Sequence, residues 1–168
     1  MLHKFIYKNF SSDSILFVRL LILLCFFLTG CTLFIDSISQ PEKIKSGQGF
    51  RIRIEGHIVG ESRESGSDKV YLYLTIPEDW EMKSIYFTGS YSGNMVLEDI
   101  DSTNYSGYHT YKWNTITAYP YYPGARFSAF IEVKAGKNKG KYTITYLTGF
   151  TKNRDARWGP KSLPIEVY

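Results

Sequence analysis

Beyond about residue 40 the chain alternates apolar and polar positions with a period of two. Phe50, Ile52 and Ile54 fall on one face while Arg51, Arg53 and Glu55 fall on the other, the pattern of a half-buried strand. Residues 69–76 repeat it, with Val70, Leu72, Leu74 and Ile76 opposite Tyr71 and Tyr73, until Pro77-Glu78-Asp79 ends the run. Shorter strands are predicted at 82–88 and 95–100, around the turn GSYSGN at 89–94, and another at 108–115, where His109, Tyr111 and Trp113 alternate with polar neighbours. Residues 126–134 place Phe127, Ala129, Ile131 and Val133 inward. Residues 136–140 then turn, 141–147 put Tyr142, Ile144 and Tyr146 on one face, and Leu163, Ile165 and Val167 close the series. The polar stretch 60–68 (GESRESGSD) reads as an exposed loop. No helical period is held over eleven residues, and turn signals recur at sandwich-like intervals. The expectation is an all-β fold, an antiparallel sandwich of about seven to nine strands.

The N-terminus follows a different plan. Lys4 and Lys8 precede an uninterrupted apolar run at 20–28 (LLILLCFFL), and small residues lead into a cysteine, which is the layout of an export leader. The tetrapeptide Leu28-Thr29-Gly30-Cys31 resembles the bacterial lipobox, with its aliphatic residue, two small residues and invariant acceptor cysteine. The resemblance implies a lipoprotein precursor: residues 1–30 as signal peptide, Cys31 as the lipidated N-terminus, 31–39 as a short tether and 40–168 as the folded domain. The competing reading is an uncleaved span at 15–35, 21 residues with Arg19 as the only charge, about the length a bilayer needs; the tetrapeptide favours the lipobox. Two or three acyl chains at about 0.8 kcal/mol per buried CH₂ make such an attachment effectively permanent. Thr32 in place of Asp implies the outer membrane of a diderm host, or the outer face of the cytoplasmic membrane otherwise. If the first strand starts near Ser37 to Gln40, the spacer reaches only about 20 to 30 Å, so the domain is held close to the membrane.

Composition narrows the remaining classes. Removing a 30-residue leader leaves 138 residues, one ordinary domain. Aromatics are 17% of the chain, with 14 Tyr and 11 Phe beside 14 Gly, which favours strands and turns over helices. Both cysteines, Cys25 and Cys31, lie in or beside the leader. The domain therefore has no disulfide, thiolate nucleophile or cysteine-ligated zinc. The formal charge is +4, and the leader holds three basic residues (Lys4, Lys8, Arg19) against one acid (Asp13), which leaves the remainder near +2. That is too little for nucleic-acid binding.

The segment Gly140-Lys141-Tyr142-Thr143-Ile144-Thr145-Tyr146 resembles the penultimate strand of immunoglobulin-like domains, where a Gly-x-Tyr opening places a tyrosine whose hydroxyl closes a corner. Ile144 would then occupy the position of the second cysteine of antibody domains. Residues 38–54 are likewise similar to the opening of bacterial surface immunoglobulin-like modules, with a proline, a glycine-containing turn and an alternating strand. The chain departs from the antibody pattern in having no disulfide and no obvious tryptophan on the third strand, which leaves a jelly roll or another sandwich as the alternative.

Catalytic signals are sparse. His57 and His109 are the only histidines after the leader and are 52 residues apart; no GxSxG, HExxH, P-loop or GxGxxG occurs. Each histidine is read as structural, and no enzyme activity, cofactor or metal is expected. Glu98, Asp99, Asp101 and Asn104 offer oxygens that suit Ca²⁺, yet lack EF-hand spacing and read as a solvated turn. The loop 118–124 (AYPYYPG) is richer: prolines stiffen it, and Tyr119, Tyr121 and Tyr122 present rings suited to a protein partner or a sugar face. Tyr91, Tyr105, Tyr108 and Trp158 extend such a patch if they share one end of the sandwich. The other reading is that these rings close the open end of the core. Lys134, Lys137, Lys139 and Lys141 crowd one hairpin, with Lys152, Arg154, Arg157 and Lys161 following nearby in sequence, which suits anionic headgroups, acidic polysaccharide or plain solvation. The sequence thus points to a membrane-anchored envelope module for a protein partner, with glycan binding through the tyrosine loop as the alternative.

Overall fold

A computed structural model of the protein describes residues 32–60, 66–102, 106–152 and 157–168. Cys31, Asn104 and Tyr105 lie outside the described residues. Nine strands of eight or more residues are present: β1 (Thr32–Ser39), β3 (Gly49–Val59), β5 (Val70–Pro77), β6 (Glu81–Gly89), β7 (Gly93–Asp101), β8 (Tyr108–Thr115), β10 (Arg126–Lys134), β11 (Gly140–Phe150) and β12 (Arg157–Val167). Three short strands, β2 (Lys43–Ile44), β4 (Gly66–Asp68) and β9 (Tyr119–Tyr121), lie in the connections. Every predicted strand is found, and no helix occurs among the described residues.

Pairing runs β1-β3-β10-β6-β7-β8-β5-β11-β12-β2. The ladder folds over at the β6–β7 hairpin, where only Tyr86↔Asn94 and Phe87↔Gly93 pair, giving one layer of β1-β3-β10-β6 and a second of β7-β8-β5-β11-β12-β2. All these pairs are antiparallel except the short β12–β2 contact. The alternation read in the sequence is the reason for this closure, because most of the long strands turn one apolar row toward the other layer, with β7 contributing only Met95. Ile52, Ile85 and Ile131 of the first layer meet Leu74, Ile76, Ile144, Tyr146 and Ile165 of the second, all at most 2% exposed. At roughly 1.5–3 kcal/mol per fully buried aliphatic side chain, this central belt holds the layers together with no disulfide.

Tyr142 opens β11 as the immunoglobulin-like resemblance implies. Its hydroxyl donates to the Asn138 carbonyl 3.1 Å away, and its ring meets Trp80 edge-on at 5.6 Å. Ile144 is fully buried. The fold is an antiparallel immunoglobulin-like β-sandwich.

Two segments differ from expectation. Residues 32–39, expected as a tether, form strand β1, paired with β3 from Thr32↔Val59 to Ser39↔Arg53. Leu33 and Ile35 alternate inward and are 2% and 5% exposed, but in the sequence their alternation merges into the apolar run of the leader. A register shift between Ile35 and Ser37 hides the period further, since a bulge swaps the faces. The loop expected at 60–68 likewise ends in β4, where Asp68 is buried.

The register defines two ends. Thr32, Val59, Gly89, Val70, Thr115, Arg126 and Phe150 share one of them, the end at which the chain comes in from Cys31; we call it proximal. The turn after Pro77 and the connection from Lys134 to Gly140 form the distal end.

Candidate functional site

The proximal end is closed by its two crossovers. One runs from β3 to β5 and carries β4; the other runs from β8 to β10 and carries β9. They pair with each other through Gly66↔Tyr121, Ser67↔Pro120 and Asp68↔Tyr119. Prolines at 120 and 123 do fix an extended path here, and that path is used as a strand of the lid.

Asp68 fastens the lid to the second layer. Its carboxylate, 3% exposed, accepts the Lys69 amide at 2.7 Å, the Thr151 hydroxyl at 2.6 Å and the Lys152 amide at 2.8 Å. The Lys152 ammonium donates to the Ser67 carbonyl at 3.0 Å. A buried carboxylate persists where its lone pairs are met in this way.

The tyrosines divide by role. Tyr121 turns inward against Phe150, with ring centroids 5.0 Å apart, in space left by Gly66, where a Cβ would lie 2.4 Å from the Tyr121 hydroxyl. Tyr119 packs edge-on against Phe87 at 5.3 Å and tilted against Tyr91 at 5.7 Å, its hydroxyl over Gly93. Tyr122 stands 43% exposed and meets Tyr91 edge-on at 6.3 Å. Burial, followed by the neighbouring Tyr122 hydroxyl, raises the Tyr91 pKa above its ordinary value. The rings in this chain of contacts make angles of 89°, 44° and 75° with one another, so they form no flat platform for a sugar face. Tyr119 and Tyr121 thus pack within the lid, half-buried, while Tyr122 stands outside it.

Beneath the lid lies an apolar cavity of about 90 Å³, bounded by Leu33, Ile54, Leu72, Phe87, Met95 and Phe150 among others. Its two threonines are already committed: Thr115 Oγ1 accepts the Val70 amide and donates to the Thr117 carbonyl, and Thr148 Oγ1 donates to the Tyr71 carbonyl. The space is smaller than the roughly 150 Å³ cavity that admits benzene.

The remaining candidates scatter. Trp158 on β12 faces Thr148 and belongs to the proximal half. Tyr108 pairs with Pro77 at the other end of β5, about 23 Å from Val70 at 3.3 Å per residue, so it does not join the tyrosine loop. His57 Nδ1 lies 3.0 Å from Asp36 Oδ2, while His109 Nδ1 lies 2.8 Å from Ser102 Oγ on the other layer. Asp99 and Asp101 both bind the Lys112 ammonium, at 3.0 and 3.4 Å, and Glu98 accepts from Asn114, so this acidic group is spent on a lysine and an amide. Among the described residues no group of three His, Cys, Asp or Glu is placed to hold a metal. The lysine hairpin lies at the distal end, where Asn138 donates to Asp79 and the Ser46 hydroxyl donates to the Lys137 carbonyl.

Sequence reasoning missed Asp68. The available signal was an isolated Asp directly before the Lys69-Val70 strand start, a place where a side chain bonds the backbone just beyond it.

The class defined by these features is a disulfide-free immunoglobulin-like sandwich with a lidded proximal end. No protein-family model matches the chain, and no curated protein matches it. Among solved structures it is similar to AvmM, described as catalysing macrocyclization in alchivemycin A biosynthesis, at 10% identity over 83% of this chain and 88% of that one, with a TM-score of 0.50. It is also similar to a cohesin module from a Clostridium perfringens family 33 glycoside hydrolase, at 11% identity over 83% and 97% of the two chains and a TM-score of 0.46. A third is the KRT10-binding region domain of the pneumococcal serine rich repeat protein PsrP, at 11% identity over 83% and 99% and a TM-score of 0.44. At these identities the likeness to AvmM is one of fold alone.

Proposed function

We propose that the chain is an envelope lipoprotein, acylated at Cys31, whose sandwich is a non-enzymatic module that docks a protein partner. The observation that carries this reading is the position of β1. Its first pair, Thr32↔Val59, lies at the proximal end, so the residue following the lipobox cysteine is already part of the sheet. One residue spans about 3.5 Å; an acyl chain on Cys31 therefore fixes the domain against its membrane with almost no spacer. In a diderm host Thr32 directs it to the outer membrane. A partner is met at the distal end, roughly 33 Å away along β3 at 3.3 Å per step, where Lys134, Lys137, Lys139 and Lys141 surround a turn set by Asp79 and Asn138. Partner binding is favoured over glycan binding because Tyr119 and Tyr121 are spent on the lid.

Mass spectrometry of the mature N-terminus tests the anchor: an acylated Cys31 is expected, and a terminus elsewhere refutes it. For the docking role, a photo-crosslinker at Lys139 should capture a defined envelope protein from intact cells, while one at Ser92 should not. Equal capture at both positions, or none at Lys139, counts against docking at the distal end.

A further inference from the structure

The proximal end differs from the distal end in two independent ways. Large apolar side chains exposed there include Phe34, Val59, Ile116 and Tyr122, at 47%, 38%, 54% and 43%, against Ile100 and Tyr168 toward the distal end, with Val96 and Leu97 exposed along β7 between the two. Half-buried Tyr91 adds a second phenolic ring beside Tyr122. Basic side chains also outnumber acidic ones there among the described residues. Lys69, Arg126, Lys152 and Arg157 are exposed, against two nearby carboxylates, Asp68 buried in its three bonds and Asp36 hydrogen-bonded to His57. The distal end mixes its lysines with Glu78, Asp79 and Glu81, and Glu81 is itself paired with Lys83.

From this we infer that the proximal end is a bilayer-contact surface for anionic phospholipid headgroups, with Tyr91 and Tyr122 seated at the interface and Arg126, Arg157 and Lys69 on the phosphates. The inference rests on the proposed acylation of Cys31, which holds this end at the membrane. Phenolic rings settle at the headgroup level because their faces are apolar and their hydroxyls stay wet. Basic side chains extend their ammonium or guanidinium groups to the phosphates while their stems lie on apolar surface. The β4–β9 lid, fixed through Asp68, makes the surface a rigid one, so contact orders few new side chains. The chain then has two opposed faces, one reading lipid and one left free toward the periplasm or exterior.

The acylated chain has no cysteine thiol of its own after the leader, so single engineered cysteines report position cleanly. Ser92→Cys at the proximal turn and Lys139→Cys at the distal hairpin, each carrying an environment-sensitive fluorophore, are reconstituted by the acyl chains into vesicles of phosphatidylcholine with or without phosphatidylglycerol and brominated lipid. The Ser92 label should be quenched by brominated lipid and shifted to the blue, more strongly with phosphatidylglycerol; the Lys139 label should be neither. Replacing Lys69, Arg126 and Arg157 by Gln should abolish the phosphatidylglycerol dependence, and Arg157→Gln alone should reduce it about fivefold, as expected for one cation near an anionic surface. Equal quenching at the two positions overturns the contact surface, and an unchanged phosphatidylglycerol dependence in the triple variant overturns its headgroup selection. The mass of the N-terminus separates the two readings. An acylated Cys31 with equal quenching overturns this inference alone, while an unacylated terminus overturns the anchor and the inference together.

Discussion

Replacing Asp68 by Ala isolates what holds the lid in place. The substitution leaves two backbone amides, of Lys69 and Lys152, and the Thr151 hydroxyl without the acceptor they now share. Hydrogen bonds to a charged group contribute about 1.5–3 kcal/mol each when the partner stays buried, so three of them set a ceiling near 4.5–9 kcal/mol. Two effects bring this down. Lys69 and Lys152 are exposed and Thr151 half-buried, so water replaces much of what is lost, and the variant no longer carries the desolvation cost of a buried carboxylate. The expected loss is about 3 kcal/mol, which for a domain of this size lowers Tm by roughly 10 °C. Asp68→Asn keeps one carbonyl oxygen and should lose about 1–2 kcal/mol. Thr151→Val should lose about 1 kcal/mol alone and little more on top of Asp68→Ala, since both remove one shared interaction. Urea unfolding measures the stabilities, and hydrogen exchange should show faster amides in β4 and β9 with the β3–β10 ladder unchanged. An Asp68→Ala variant within 0.5 kcal/mol of the parent, the range of an unremarkable surface substitution, would falsify the fastening role.

Tyr142→Phe removes the hydroxyl bond to Asn138 while keeping the ring against Trp80, and should cost about 1 kcal/mol in urea unfolding; a neutral result would make the corner bond incidental. Burial raises the pKa of the Tyr146 hydroxyl far above its ordinary value of 10, and that hydroxyl donates to Gln40. Its stabilising share is therefore complete below pH 10 and is lost as pH climbs above it, because the unfolded chain ionises first. Tyr146→Phe should flatten the fall of stability in that range, and an identical alkaline profile would contradict the assignment.

The layers were legible in the chain because a period of two is a direct consequence of burying one strand face. Six of the long strands follow from it, β6 and β7 are marked instead by the turn between them, and Tyr142 with Ile144 marks which strand is the penultimate one. The ninth, β1, was hidden because Leu33 and Ile35 continue the apolar run of the leader and because the shift before Ser37 breaks the alternation. The lid was hidden for another reason. Strands of three residues such as β4 and β9 carry too few positions to show a period, and their pairing is fixed by what both crossovers must cover rather than by local preference. Asp68 gives no periodic signal at all; its role exists only once Thr151 and Lys152, more than eighty residues away, are brought beside it.

The tyrosine loop shows why composition misleads at the end of a sandwich. A two-layer β core is open wherever the chain crosses from one sheet to the other, and the side chains on those crossovers are the ones available to close it. Aromatic residues serve this best, since one ring covers a wide gap at low entropic cost. A Tyr- and Pro-rich crossover is therefore claimed first by the core, and only rings in excess of that need are left for recognition. Here the count can be made ring by ring: Tyr121 goes to Phe150, Tyr119 goes to Phe87, and Tyr122 with Tyr91 remains outside. Two outward rings among exposed cations, on the end where β1 begins, fit a headgroup layer better than a sugar, which stacks on coplanar faces and is oriented by polar groups that the committed threonines below the lid do not offer.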